Sequence, residues 1–107
     1  MISTHILDTS KGHPAQGVPV FLDTGDGQTW SLLASGETNA DGRFVFDAPF
    51  RAGKYRVRFG IEAYYRRTGE KPFFLDVPVA FEITDTGRKY HIPLLLNPFG
   101  YSTYRGS

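Results

Sequence analysis

A chain of 107 residues holds one domain, with a single core that buries somewhat over ~60% of its unfolded surface. The net charge is +1 and the basic residues are scattered, so neither nucleic acid nor an anionic membrane finds an electrostatic footprint. There are no cysteines, which excludes disulfides, thiolate metal sites and cysteine nucleophiles, and fits a reducing compartment.

The opening "MISTHILDTS" has no basic leader and no long apolar run, and no segment reaches the ~20 apolar residues that span a bilayer, so the expected location is cytoplasmic. Within it "STHILDT" alternates and is followed by the turn formers "SKGHPAQG", which predicts a first strand. "VPVFLDT" and "TWSLLASGET", joined through "GDG", predict a hairpin, and "RFVFD" resumes the alternation after the turn "NADG". "GKYRVRFG" sets Tyr55, Val57 and Phe59 on one face and Lys54, Arg56 and Arg58 on the other, a half-buried strand with a solvated basic stripe.

"IEAYYRRTG" breaks the period. Glu62 stands four residues before Arg66, and Gly69 offers a stop, so one short helix is predicted. "VPVAFEITD", "YHIPLLL" and "YSTYRGS" complete eight strands. Many short strands, 12 glycines, 7 prolines and one helix predict an all-β, two-sheet sandwich.

Candidate chemistry follows from the same alternation. In "YHIPLLL", Tyr90, Ile92, Leu94 and Leu96 form one side, which leaves His91 on the outward side with Pro93 and Leu95. In "THILDT", His5 shares a face with Leu7 and lies opposite Ile6. Two outward histidines in mid-strand suggest a surface with titratable groups planted in it, although either alone reads as a partly exposed strand residue. With no HxH or HxxxH spacing, a metal would need a third ligand that the sequence does not identify. His13 precedes a proline in a turn and reads as a loop residue, while Asp8 is expected to bond turn amides. Arg43, one of eight arginines, opens a strand where its planar fork could bind an anion. No G-x-S-x-G elbow, GxGxxG or P-loop occurs.

"HILDTSKGHPA", "TNADGR" and "YHIPLLLNPFGYSTYRGS", in that order, resemble the transthyretin-related 5-hydroxyisourate hydrolases over nearly the whole chain. The resemblance implies a transthyretin-like sandwich of two four-stranded sheets, assembled as a homotetramer, a dimer of dimers with active sites in its central channel. It implies hydrolysis of the six-membered ring of 5-hydroxyisourate, in urate catabolism, without a cofactor or metal. Carried over by position, the catalytic residues are His5, Arg43, His91 and Ser107, and Arg43, Tyr104, Arg105 and Gly106 bind substrate. The closing "YRGS" would then wall the pocket.

The sequence departs from the family's common pattern at Lys89, where many members carry histidine, at Asn97, where serine is usual, and in "FFLDVPV", which lacks a proline after the aromatic pair. The competing readings are a transthyretin-like carrier and a structural module, since the middle blocks also resemble prealbumin-like repeats.

Overall fold

A computed structural model describes residues 1–107. Its elements in chain order are β1 (Ile2–Asp8), β2 (His13–Pro14), β3 (Pro19–Gly25), β4 (Trp30–Glu37), β5 (Arg43–Phe46), β6 (Gly53–Phe59), α1 (Ile61–Thr68), β7 (Val77–Ile83), β8 (Tyr90–Asn97) and β9 (Gly100–Thr103). The eight expected strands and the helix are all present. The addition is β2, two residues in the segment read as a turn, pairing Pro14 with Leu7 and His13 with Asp8.

One sheet runs β2-β1-β8-β9, with β5 also paired to β1 ahead of β2, and the other runs β4-β3-β6-β7. All pairings are antiparallel except β1 with β8. Alternation decides which side chains meet between the sheets. Ile2, Ile6, Tyr90, Ile92, Leu94 and Leu96 point inward from one, and Val20, Leu22, Tyr55, Val57, Phe59 and Val77 from the other. Each such apolar side chain contributes about 1.5–3 kcal/mol through removal from water. Pro93 is buried as well, although it lies on the outward side of the β8 alternation.

The helix turns Ile61, Tyr64 and Tyr65 inward and ends at Gly69, whose φ of 84° suits glycine and whose N–H bonds the Tyr65 carbonyl at 3.0 Å. Glu62 in its first turn and Arg66 and Arg67 in its last complement the helix dipole. Tyr64 donates its hydroxyl to Asp8 Oδ2 at 2.7 Å, and Asp8 Oδ1 accepts the N–H groups of Ser10 and Lys11 at 3.1 and 3.2 Å. Asp8 therefore does bond turn amides, and it also ties the end of β1 to the helix. Burial pushes its carboxyl up, but the bonds from Ser10 and Tyr64 and the charge of Lys11 outweigh that and leave it below the usual carboxylate range.

The basic stripe of β6 is less solvated than expected. Asp23, across from Arg56 in the ladder, is buried on that face and accepts from Arg56 Nε at 2.9 Å and from Arg58 Nε and Nη2 at 2.6 and 3.0 Å. The two guanidiniums lie over Trp30 and Phe21, each 4.8 Å from the ring centre. Leu22 and Asp23 are consecutive and both buried because they face opposite sides, Leu22 in the core and Asp23 beneath the two arginines, while a bulge in the β3–β4 ladder leaves Leu33 as the extra residue on β4. No helix is long and apolar enough to cross a membrane.

Candidate active site

The turn "NADG" fixes where Arg43 begins. Asn39 Oδ1 accepts the N–H groups of Asp41 and Arg43 at 2.9 and 3.0 Å, and Gly42 adopts a φ of 72°. Any side chain at Gly42 would meet the Ile6 carbonyl at 2.5 Å, and the Gly42 carbonyl itself accepts from the Ile6 N–H at 2.8 Å. The turn is thus stitched to β1, and Arg43 emerges directly across the ladder from His5.

On β1 the outward residues are Ser3, His5 and Leu7, each half-buried between buried neighbours. On β8, His91 is half-buried and stands opposite Ser3, with its Nδ1 2.8 Å from the Ser3 hydroxyl. His5 lies two residues farther along β1, about 7 Å on the strand rise, so both imidazoles and Arg43 share one outward surface.

That surface is electropositive. Partial burial lowers the pKa of His5, and the charge of Arg43 lowers it further, against an opposing hydrogen bond to the Asp41 backbone and the Asp41 charge. His91 is lowered by burial, then by Arg43 and by His5, against a hydrogen bond to the Ser3 backbone. Both shifts favour the neutral ring, the form that accepts a proton.

A depression of about 340 Å³ opens here, walled by Ser3, Arg43, Lys89, His91 and Ser107, with Phe44 and Val45 as its apolar side. A second, more apolar crevice of about 170 Å³ lies beyond His91 and is lined by Tyr90, Ile92, Thr103, Tyr104 and Arg105, together with Val79 and Phe81 from the other sheet. The His91 ring is the wall between the two.

The tail explains this arrangement. β9 runs antiparallel to β8 as far as Thr103, whose hydroxyl bonds the Pro93 carbonyl at 2.7 Å. The chain then leaves the ladder and returns at Gly106, whose N–H bonds the His91 carbonyl at 2.8 Å. "YSTYRGS" is thus a strand only in its first three residues. Arg105 lies over the Tyr90 ring, 4.7 Å from its centre, and Tyr104 is exposed. A Cβ on Gly106 would sit 2.6 Å from His91 Cδ2, so only glycine lets the tail lie against that ring.

Of the residues singled out from sequence, Arg43, His91 and Ser107 line one depression and His5 adjoins it across from Arg43. Tyr104 and Arg105 line the other crevice, and buried Gly106 packs between. Ser3 was not singled out. Its signal was present, since alternation puts it on the His5 face, but the β1–β8 register that brings it to His91 is not written in local sequence. His13 is exposed, its Nδ1 2.9 Å from the Pro14 carbonyl. No three His, Cys, Asp or Glu side chains gather in a metal-binding group.

Residues 2–106 match the HIUase/Transthyretin family. The 5-hydroxyisourate hydrolase of Salmonella typhimurium is 44% identical over 110 residues, covering 100% of this chain and 81% of that one. Among solved structures, Klebsiella pneumoniae 5-hydroxyisourate hydrolase aligns with a TM-score of 0.87 at 41% identity, over 99% of this chain and 98% of that one. Sea bream transthyretin in complex with thyroxine aligns with a TM-score of 0.90 at 34% identity, over 98% and 93%.

Proposed function

Because the chain belongs to the HIUase/Transthyretin family, we propose that it hydrolyses 5-hydroxyisourate in urate catabolism, using His5, His91 and Arg43. The observation that carries this reading is a pair of strand-borne imidazoles on one outward face with one arginine, where burial and that arginine's charge favour the neutral rings. Hydrolysis needs a proton acceptor at neutral pH and a cation where negative charge develops, and that surface offers both.

One histidine takes a proton from water as the water oxygen bonds the ring carbonyl carbon. The resulting oxyanion is stabilised by Arg43. The carbon–nitrogen bond then breaks, and the departing nitrogen takes up the proton that came from water, handed on by the first histidine through the second, whose neutral ring accepts on one nitrogen as it donates from the other. The ring opens to 2-oxo-4-hydroxy-4-carboxy-5-ureidoimidazoline with one water consumed and no net proton change at the histidines. Arg43, Tyr104, Arg105 and Gly106 bind and enclose the substrate, and Ser107 hydrogen-bonds it or a histidine.

A homotetramer belongs to the same reading. Phe73 and Phe99 are 72% and 76% exposed, and Phe74 packs on Tyr101 of the open edge strand β9. On the site face, Val45 and Leu95 are also exposed. Two separate apolar surfaces of this kind suit a dimer that pairs again, which sedimentation equilibrium reads directly.

The deciding experiment generates 5-hydroxyisourate from urate with urate oxidase and follows its ultraviolet decay with and without the protein. Acceleration that falls by ~10²- to 10⁴-fold in a folded His91→Asn variant supports the hydrolase. Decay at the spontaneous rate in the presence of folded wild type overturns it and puts a carrier in its place.

A further inference from the structure

The His91 ring is held along two edges. On one, Nδ1 lies 2.8 Å from the Ser3 hydroxyl across the β1–β8 ladder. On the other, Cδ2 rests against Gly106 so closely that no Cβ fits. What remains for the solvent-filled depression is the Cε1–Nε2 side, so Nε2 is the one ring nitrogen a ligand or water can reach.

A neutral imidazole carries one N–H, and the choice of nitrogen decides whether the open edge accepts a proton or donates one. The Ser3 hydroxyl can bond in either sense, so its surroundings decide. Around the ring stand Arg43 on β5, His5 on β1, Lys89 just before β8, and Tyr104, Arg105 and Ser107 in the tail. The fixed cations Arg43 and Lys89 share the depression with His91. A positive field favours a lone pair turned toward it and disfavours an N–H there. That field places the proton on Nδ1, where the Ser3 hydroxyl accepts it.

We propose that Ser3 is a positioning residue that fixes His91 in the Nδ1–H form, so that Nε2 is the base that deprotonates water and the neutral His5 ring relays that proton to the departing nitrogen. Only the assignment of roles rests on the hydrolase reading; the position of the ring proton does not. Without a hydroxyl at residue 3 the Nδ1–H loses its acceptor 2.8 Å away, and population shifts toward the Nε2–H tautomer that an unconstrained histidine prefers.

The test pairs spectroscopy with kinetics. Protein labelled with ¹⁵N-histidine is observed at about pH 8, above the ordinary histidine pKa of ~6.5, and the His91 signals are assigned by their loss in His91→Asn. Wild type and Ser3→Thr should show a protonated Nδ1 and a bare Nε2, whereas Ser3→Ala should move population toward Nε2–H. In the decay assay, Ser3→Ala should lose about 10- to 10²-fold in kcat, the cost of a misplaced group, with KM little changed and Ser3→Thr restoring the rate. A bare Nδ1 in wild type overturns the proposal, as does a folded Ser3→Ala with unaltered spectrum and kcat. The spectra need no substrate, so an inactive wild type would defeat the hydrolase reading and leave the tautomer assignment standing.

Discussion

Gly106→Ala isolates the contact between the tail and His91. The added Cβ would lie 2.6 Å from His91 Cδ2 and 3.2 Å from its Cβ and Cγ. Carbon atoms rest at ~3.5–4.0 Å, so the ring or the tail must retreat by about 1 Å. If the ring moves, it slides along its bond to Ser3; if the tail moves, the 2.8 Å bond from the Gly106 N–H to the His91 carbonyl stretches. Both outcomes disturb the site far more than the core, because Gly106 packs at the end of the chain and its φ does not lie in the left-handed region. A shift of ~1 Å at a reacting group costs about 10²-fold in rate, while overpacking of this kind costs ~1–3 kcal/mol of stability. The variant should therefore stay folded in a thermal melt, lose about two orders of magnitude in kcat for 5-hydroxyisourate decay, and show displaced His91 ring signals. A folded variant with kcat within twofold of wild type would refute the idea that the tail positions this ring.

The depressed histidine pKa values set the pH behaviour: His5 and His91 should titrate below ~6.5 by NMR, the acid limb of kcat/KM should fall there too, and Arg43→Gln should move both titrations upward. By linkage, the folded state disfavours their protonation, so their contribution to stability is complete above ~6.5 and is lost as pH falls through the lower folded values, a trend that urea midpoints between pH 7 and 5 would reveal. Tyr65 is fully buried and its hydroxyl has no hydrogen-bond partner. Tyr65→Phe should accordingly unfold no earlier than wild type and gain up to about 1–3 kcal/mol in chemical denaturation; a loss of that size would mean that the hydroxyl is satisfied in solution.

What could be read from the sequence divides along the range of the interactions. Alternation is local, and it placed Ile6, Leu94 and Leu96 inside and His5 and His91 outside, as the fold bears out. Turn chemistry is local too, so "NADG" and the glycine after the helix mark real boundaries. Local pattern fails where a partner is distant. Arg56 and Arg58 looked like a solvated stripe because the carboxylate they share is 33 and 35 residues away in the chain. β2 escaped notice because two residues carry no period.

The site shows the same division more sharply. The residue types that suit hydrolysis were visible in three separate blocks, and one of the contacts that could turn them into a mechanism spans 88 residues, from Ser3 on the first strand to His91 on the eighth. Parallel pairing of β1 with β8 is the cause: it sets the outward row Ser3-His5-Leu7 beside His91-Pro93-Leu95, residue against residue. A slip of one position would bury His91 and turn Leu94 out to solvent, so the apolar core fixes the register. The energy that aligns the candidate active site is therefore supplied by leucines and isoleucines on the opposite side of the same two strands. Stability and chemistry are separated by face, which is why polar substitutions outside should change rate while those inside should change folding.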